Sequence, residues 1–372
     1  MQQVRLTKFA LLLAAWGLSA LFFGAEAPAA AAVSPSAAVV KPAPGAKPAA
    51  APAIKDVILF NAKSGQHWAL GRMDVDGRCK RYLSQSLRRG WVSSVPVENK
   101  TDDLSGVGSP DGQWIAFYSH RSGALNIWLM KADGSAAEAL TSEETPVAEE
   151  GPGLREQLAF SPDSTQLAFV MHEDLWVMRL SNRAMVSLSS GQGVKALVWS
   201  PNSRALAFVQ GSSLRRIGLS GAPLEVLANG MVGFPTLSWA GDAEKGAVLF
   251  FGRGLRRASL DKKVDLLWPT LLTPNRVQAL PGGGDKSLVL SQLYNGSNEV
   301  FLADFAGKGR KAEQVTQGGA EDAWFLPSGG GLIFQRNGRL WRCGLDGKQA
   351  KPITDASVSH VWAGRLTPLE CQ

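Results

Sequence analysis

From Asp56 onward the chain alternates short apolar runs with tight polar turns, and the two recur together. Ser109-Pro110-Asp111-Gly112 precedes Ile115-Ala116-Phe117, and Ser161-Pro162-Asp163-Ser164 precedes Leu167-Ala168-Phe169. Ser200-Pro201-Asn202-Ser203 precedes Leu206-Ala207-Phe208, and Leu326-Pro327-Ser328-Gly329 precedes Leu332-Ile333-Phe334. Each unit reads as a turn followed by a buried strand. Proline presets φ at the first turn position, Asp or Asn bonds its own backbone, and glycine accepts positive φ. Relaxed copies stand at Trp239-Ala240-Gly241 before Val248-Leu249-Phe250, and at Pro281-Gly282-Gly283 before Leu288-Val289-Leu290. A second apolar phrase follows each strand, as in Ile127-Trp128-Leu129-Met130, Leu175-Trp176-Val177-Met178 and Leu340-Trp341-Arg342-Cys343. A polar turn and a short fourth strand such as Glu138-Ala139-Leu140-Thr141 then close most units.

Four short strands in about forty residues is the pattern of a β-propeller blade. Asp56-Val57-Ile58-Leu59-Phe60 reads as a second strand and Leu70-Gly71-Arg72-Met73 as a third, with no first strand before them. Ser359-His360-Val361-Trp362, matched to Lys195-Ala196-Leu197-Val198-Trp199, supplies the missing one from the C-terminus. Such a closure pairs both free sheet edges. The expected fold is all-β, a seven-bladed propeller closed by a C-terminal strand, with six blades if one relaxed unit is an insertion.

Ahead of the repeat, Arg5 and Lys8 precede an apolar run from Phe9 to Phe23 and then a tract of small residues. This is the form of a secretory leader, expected over residues 1–31 with cleavage among Ala29 to Ala32. The compartment expected is periplasmic or extracellular. An uncleaved leader anchoring the chain in the inner membrane is the alternative. Residues 32–55 are mostly Ala, Pro, Val, Ser and Lys and read as a flexible linker, leaving 56–372 for the propeller.

The phrase Ser109-Pro110-Asp111-Gly112-Gln113-Trp114-Ile115-Ala116-Phe117, followed by Asn126 to Gly134 and by Leu140-Thr141, closely resembles the repeat of the TolB-type propellers. Ser161 to Leu188 is a second good copy. The resemblance covers residues 56–372 as architecture and is motif-specific in blades two to four. It implies a periplasmic protein-interaction module working with TolA and a peptidoglycan-associated lipoprotein at the outer membrane. TolB itself carries a separate α/β domain before its propeller, where this sequence has the Ala/Pro linker. The expectation is therefore membership of the wider repeat family. The same repeat precedes a hydrolase domain in some serine peptidases, whereas this chain ends with the propeller.

Composition narrows the chemistry. Four histidines leave little material for a proton-transfer or metal centre, and 39 basic against 32 acidic residues form no concentrated basic tract, so no nucleic-acid partner is expected. No Gly-x-Ser-x-Gly elbow occurs, and His172-Glu173 lacks the second histidine of a zinc motif, since Trp176 stands there. The chain is expected to be a non-enzymatic, monomeric scaffold binding an envelope protein. The alternative is a glycan-binding or polysaccharide- or cell-wall-acting propeller enzyme. No cofactor is expected. A calcium ion in the central channel is compatible with loop oxygens, though no ligand set can be named.

Trp128, Trp176, Trp199, Trp239, Trp341 and Trp362 recur at strand positions and are expected between blades, with His360 buried there as well. Candidate partner-binding residues come from two long connections and one pair of blades. The first connection, Ser84 to Leu104, offers Arg88, Arg89 and Trp91, and the second, Ser142 to Glu156, offers Glu143, Glu144, Glu149 and Glu150. In blades four and five Arg215 and Arg256 replace the third-strand aromatic, and Arg216 and Arg257 follow them. The expectation for these four is that their stems pack between blades with solvated heads, the alternative being a guanidinium cluster at a shared outer edge. Residues 98–174 carry fourteen acidic and four basic side chains, whereas 195–265 carry ten basic and five acidic. The ring is thus expected to be electrically two-sided. Of three cysteines, Cys79 and Cys371 are the candidate disulfide, with Cys343 a buried apolar substitute.

Overall fold

The chain divides into two units, Met1–Ala50 and Ala51–Gln372. The computed structural model describes residues 53–83 and 102–369, apart from residues 65, 143–156, 190–192, 221–222, 232–235, 245, 253, 269–275, 281–285, 293–295 and 305–310. Every regular element among the described residues is a strand, and none of them forms a helix long and apolar enough to cross a membrane.

Blade 1 contains β1 (Lys55–Ser64), β2 (His67–Asp74) and β3 (Arg81–Tyr82). Blade 2 is β4 (Asp103–Gly108), β5 (Trp114–Ser119), β6 (Asn126–Lys131) and β7 (Glu138–Ala139). Blade 3 is β8 (Leu158–Phe160), β9 (Gln166–Met171), β10 (Asp174–Arg179) and β11 (Met185–Ser187). Blade 4 is β12 (Val194–Trp199), β13 (Ala205–Gln210), β14 (Ser213–Gly218) and β15 (Glu225–Asn229). Blade 5 is β16 (Ser238–Ala240), β17 (Ala247–Gly252), β18 (Gly254–Ser259) and β19 (Val264–Trp268). Blade 6 is β20 (Arg276–Ala279), β21 (Lys286–Gln292), β22 (Asn298–Asp304) and β23 (Lys311–Gln314). Blade 7 is β24 (Asp322–Phe325), β25 (Leu332–Arg336), β26 (Arg339–Cys343) and β27 (Lys351–Pro352). The last strand, β28 (Ser359–Leu366), lies beside β1 as the innermost strand of blade 1.

The described strands therefore form seven four-stranded antiparallel sheets. Both relaxed sequence units make full sheets, as blades 5 and 6. The innermost strands touch in succession from β28 through β4, β8, β12, β16, β20 and β24 back to β28, which closes the ring. β1 begins at Lys55, the residue expected to end the linker.

Alternation along each second strand builds the core. In β5, Ile115 and Phe117 join the apolar cluster against blade 1, while Ala116 and Tyr118 join the one against blade 3. Because both faces of a blade are covered, these strands read as continuous apolar runs. Seven such clusters fill the seven inter-blade gaps. Phe60, Phe117, Phe169, Phe208, Phe250 and Phe334 are all fully buried on second strands, each stabilising by roughly 2–3 kcal/mol relative to an exposed ring.

The match of Trp362 to Trp199 is corrected by register. Trp362 pairs with Leu59, whereas Trp199 pairs with Leu206. Leu59 corresponds to Ala207, whose partner is Val198, so Trp362 stands one residue out from the position of Trp199, and a one-residue offset sends a side chain to the opposite face. Trp362 packs against the inter-blade clusters on both sides of blade 2, as expected of an inter-blade residue, and lines the central channel as well. Its ring occupies space left by two glycines: a Cβ at Gly108 would come within 2.5 Å of the indole, and one at Gly364 would overlap it.

Candidate functional site

In blades 2, 3 and 7 the third strand sets Trp128, Trp176 and Trp341 opposite Phe117, Phe169 and Phe334. The same register sets Arg215 opposite Phe208 and Arg256 opposite Phe250. A guanidinium thus stands where other blades hold an indole. Arg216 and Arg257 face acidic partners on the outer strand, Glu225 at 3.2 Å and Asp265 at 2.9 Å. Arg215 and Arg256 instead face Val226 and Leu266 and form no ion pair among the described residues.

The four arginines do not make the single cluster that was the alternative expectation, because neighbouring residues on a strand point to opposite faces. Arg215 shares a face with Phe208, on the side of blade 3, and Arg257 shares one with Leu249, on the side of blade 6. Arg216 and Arg256 both face the gap between blades 4 and 5. All four are half-buried, and each Nε is enclosed without a hydrogen-bond partner. Their stems pack between blades, as long cationic side chains do.

The outer strands of these two blades differ as well. In blades 2, 3, 6 and 7 the hydroxyls of Thr141, Ser189, Thr316 and Thr354 accept hydrogen bonds from the backbone N–H of Ile127, Leu175, Val300 and Leu340, at 2.9–3.0 Å. By register Ala228 and Trp268 take that position in blades 4 and 5, where they pair with Leu214 and Leu255. β15 and β19 are five residues long, against two in β3, β7 and β27, three in β11 and four in β23. The exposed large apolar side chains among the described residues are Met185, Val186, Leu224, Val226, Val264 and Leu266, 37–58% accessible. All six lie on the outer strands of blades 3, 4 and 5 or next to them.

The channel is the second candidate. A recess of about 440 Å³ opens at the end bearing the Ser-Pro-Asp turns, walled by Val107, Leu158, Phe160, Leu197, Pro327 and Trp362. A smaller space of about 170 Å³ is bounded by Arg276, Gln278, Trp324, His360 and Trp362. Inner strands lack a partner on their channel side, and neighbouring side chains satisfy part of that edge. The Thr236 and Ser238 hydroxyls accept from the N–H of Val277 and Ala279 at 2.9 and 2.8 Å, and Gln278 Oε1 accepts from that of Phe325 at 2.9 Å. Arg276 is held by Asp322, both more than nine-tenths buried, with its guanidinium 5.2 Å from the Trp324 ring centre. His360 is half-buried in this wall, edge-on to Trp68 at 6.1 Å, and not deep between blades as expected.

Arg88, Arg89, Trp91, Glu143, Glu144, Glu149, Glu150 and Cys371 lie outside the described residues. Cys79 is disulfide-bonded, whereas Cys343 is a buried free thiol whose pKa burial pushes up to about 11. Among the described residues no group of three or more His, Cys, Asp or Glu side chains is placed to hold a metal ion. Two features escaped the sequence reading. One is the hydroxyl bond at the end of the outer strand in blades 2, 3, 6 and 7, signalled by an aliphatic residue before Thr or Ser, as in Leu140-Thr141, Leu188-Ser189, Val315-Thr316 and Ile353-Thr354. The other is Arg72, fully buried in blade 1, which donates to the carbonyls of Ala132 and Thr367 and whose pKa burial lowers to about 10.

No family model and no curated protein matches the chain in sequence. Solved structures match it in fold. An oligogalacturonate lyase from Vibrio parahaemolyticus aligns with a TM-score of 0.55 at 11% identity, over 82% of this chain and 86% of that one. TolB from Acinetobacter baumannii aligns with a TM-score of 0.50 at 15% identity, over 83% and 82% of the two chains. A prolyl endopeptidase aligns with a TM-score of 0.50 at 12% identity, over 85% of this chain and 51% of its own. At these identities the likeness is one of architecture, shared by a TolB and by enzymes, and what it shows is the β-propeller fold.

Proposed function

We propose that this chain is a non-enzymatic scaffold of the bacterial periplasm, a TolB-like propeller that binds a protein of the cell envelope. The leader-like N-terminus supports the compartment, and the turn phrases from Ser109 and Ser161 support the kinship. The observation that carries the reading is the outer surface of blades 3 to 5, where exposed apolar side chains gather on successive outer strands and half-buried arginines stand on the third strands of blades 4 and 5. Apolar surface concentrated in one sector marks an interaction face. Crosslinking in intact envelopes, followed by identification of the trapped species, tests the reading. A specific protein adduct is expected. Absence of any protein adduct, together with retention of the chain on cell-wall glycan, would overturn it.

A second reading has an observation of its own. Trp324 and Trp362 both face the channel beside Gln278 and Arg276, and indole faces suit the apolar faces of sugar rings. A glycan-binding or polysaccharide-acting propeller would use this channel, and glycan binding abolished by Trp362→Ala would favour it.

A further inference from the structure

We propose that the outer rim of blades 4 and 5 is a docking surface for an extended, acidic and aliphatic segment of a partner protein, its carboxylates held by Arg215 and Arg256. This rests on the scaffold reading and names the chemistry of the partner.

The chain contains its own template for the contact. Arg216 and Arg257 already hold a carboxylate from the neighbouring outer strand, Glu225 and Asp265. Their neighbours Arg215 and Arg256 occupy the same third strands but meet Val226 and Leu266 there, and no acidic side chain among the described residues pairs with them. Each guanidinium is half-buried with its Nε enclosed and unpartnered. A planar fork of donors held by its packed stem loses little entropy when a carboxylate arrives, and partial burial strengthens the pairing. The flanks specify the rest of the ligand. Leu224 and Val226 alternate on the face of Arg215, and Val264 and Leu266 on that of Arg256, all more than a third exposed. A carboxylate flanked by aliphatic side chains matches both charge and apolar surface. A phosphate-bearing ligand matches only the charge.

The arrangement repeats in consecutive blades, so one extended segment can engage both sites, and the second contact forms at a raised effective concentration. β15 and β19 are also the longest outer strands among the described residues, at five residues each.

Fluorescence anisotropy of the purified protein with a labelled Glu-Leu-Glu-Val-Glu-Leu-Glu peptide tests the proposal, with the same peptide carrying Gln for every Glu as control. Saturable binding of the Glu peptide is expected, weakening as salt rises, with affinity at least tenfold above that of the Gln peptide. The paired change Arg215→Gln and Arg256→Gln should reduce affinity at least tenfold, and Arg216→Gln with Arg257→Gln should reduce it less. Equal affinity for the two peptides overturns the proposal without recourse to any variant. So does undiminished binding by the Arg215/Arg256 variant, binding of phosphatidylglycerol vesicles in preference to the Glu peptide, or self-association abolished by those two changes. A protein crosslinked only through the channel face would leave the scaffold reading standing and remove this surface from it.

Discussion

Asp163 shows how one side chain organises a turn. Its Oδ1 accepts from the Ser161 hydroxyl at 2.6 Å and from the backbone N–H and hydroxyl of Thr165 at 3.1 and 2.8 Å. Asn202 does the same work in blade 4, accepting from the Ser200 hydroxyl at 2.8 Å and the Arg204 N–H at 3.2 Å. The next residue, Ser164 or Ser203, sits at positive φ where blade 2 has Gly112. Serine bears that strain because its hydroxyl reaches the turn of the preceding blade. Ser164 accepts from the N–H of Asp111 at 2.9 Å and Ser203 from that of Asp163 at 3.0 Å. Partial burial would raise the pKa of Asp163, but hydrogen bonds from Ser161 and Thr165 outweigh it and hold the carboxyl below its ordinary value. A lowered carboxyl pKa contributes stability above the unfolded value, about 3.9, and that contribution is lost as pH falls through the folded value. Asp163→Asn retains the acceptor and cannot titrate. Its melting temperature should lie below that of the parent at pH 7, and the gap should close as pH drops below about 4. A gap independent of pH between 3 and 7 would contradict this account.

At the level of the blade, the hydroxyl that ends the outer strand accounts for much of the contrast between ordinary and arginine-bearing blades. Thr141, buried, accepts from the Ile127 N–H and donates to Asn126 Oδ1 at 2.8 Å. Thr141→Val would leave a buried N–H without its acceptor, costing about 1–3 kcal/mol. Denaturant unfolding should show that loss, and a change under about 0.3 kcal/mol would mean that the bond contributes nothing net. The Leu-Thr phrase was visible in the sequence as a strand ending. Its second bond was not, because nothing in spacing says which N–H a hydroxyl will meet. The arginines were legible as residues with stems packed between blades, and only the alternative of a single cluster fails. The substitution of Arg215 and Arg256 for the aromatic position is a matter of register and survives in the structure. The division of the four between three inter-blade gaps follows from pleat alternation, so two arginines adjacent in sequence belong to different sides of a blade.

For the molecule as a whole, the repeat of turn and apolar strand was enough to place the C-terminal strand beside the N-terminal ones. The same repeat matched Trp362 to Trp199 when its register is that of Val198, and with a period of two an offset of one residue turns the side chain to the other face. β28 contributes Val361 and Leu366 to the cores on either side of blade 1 and bonds along β1 from Lys55↔Leu366 to Asn61↔Ser359. Deleting residues 359–372 should abolish the cooperative melting transition, since β1 would present unpaired buried groups and two apolar clusters would open to water. A truncated chain that melts like the parent would show that closure is dispensable. Closure also sets an order of events in time. The pairing of β1 with β28 joins residues about three hundred positions apart, among the longest-range contacts a chain of this size can make, and such contacts form slowly. A polypeptide emerging from its N-terminus begins blade 1 first and completes it last. Until the final strand arrives, β1 carries an open apolar edge, and that interval is when the chain is most exposed to mispairing and to the chaperones that prevent it.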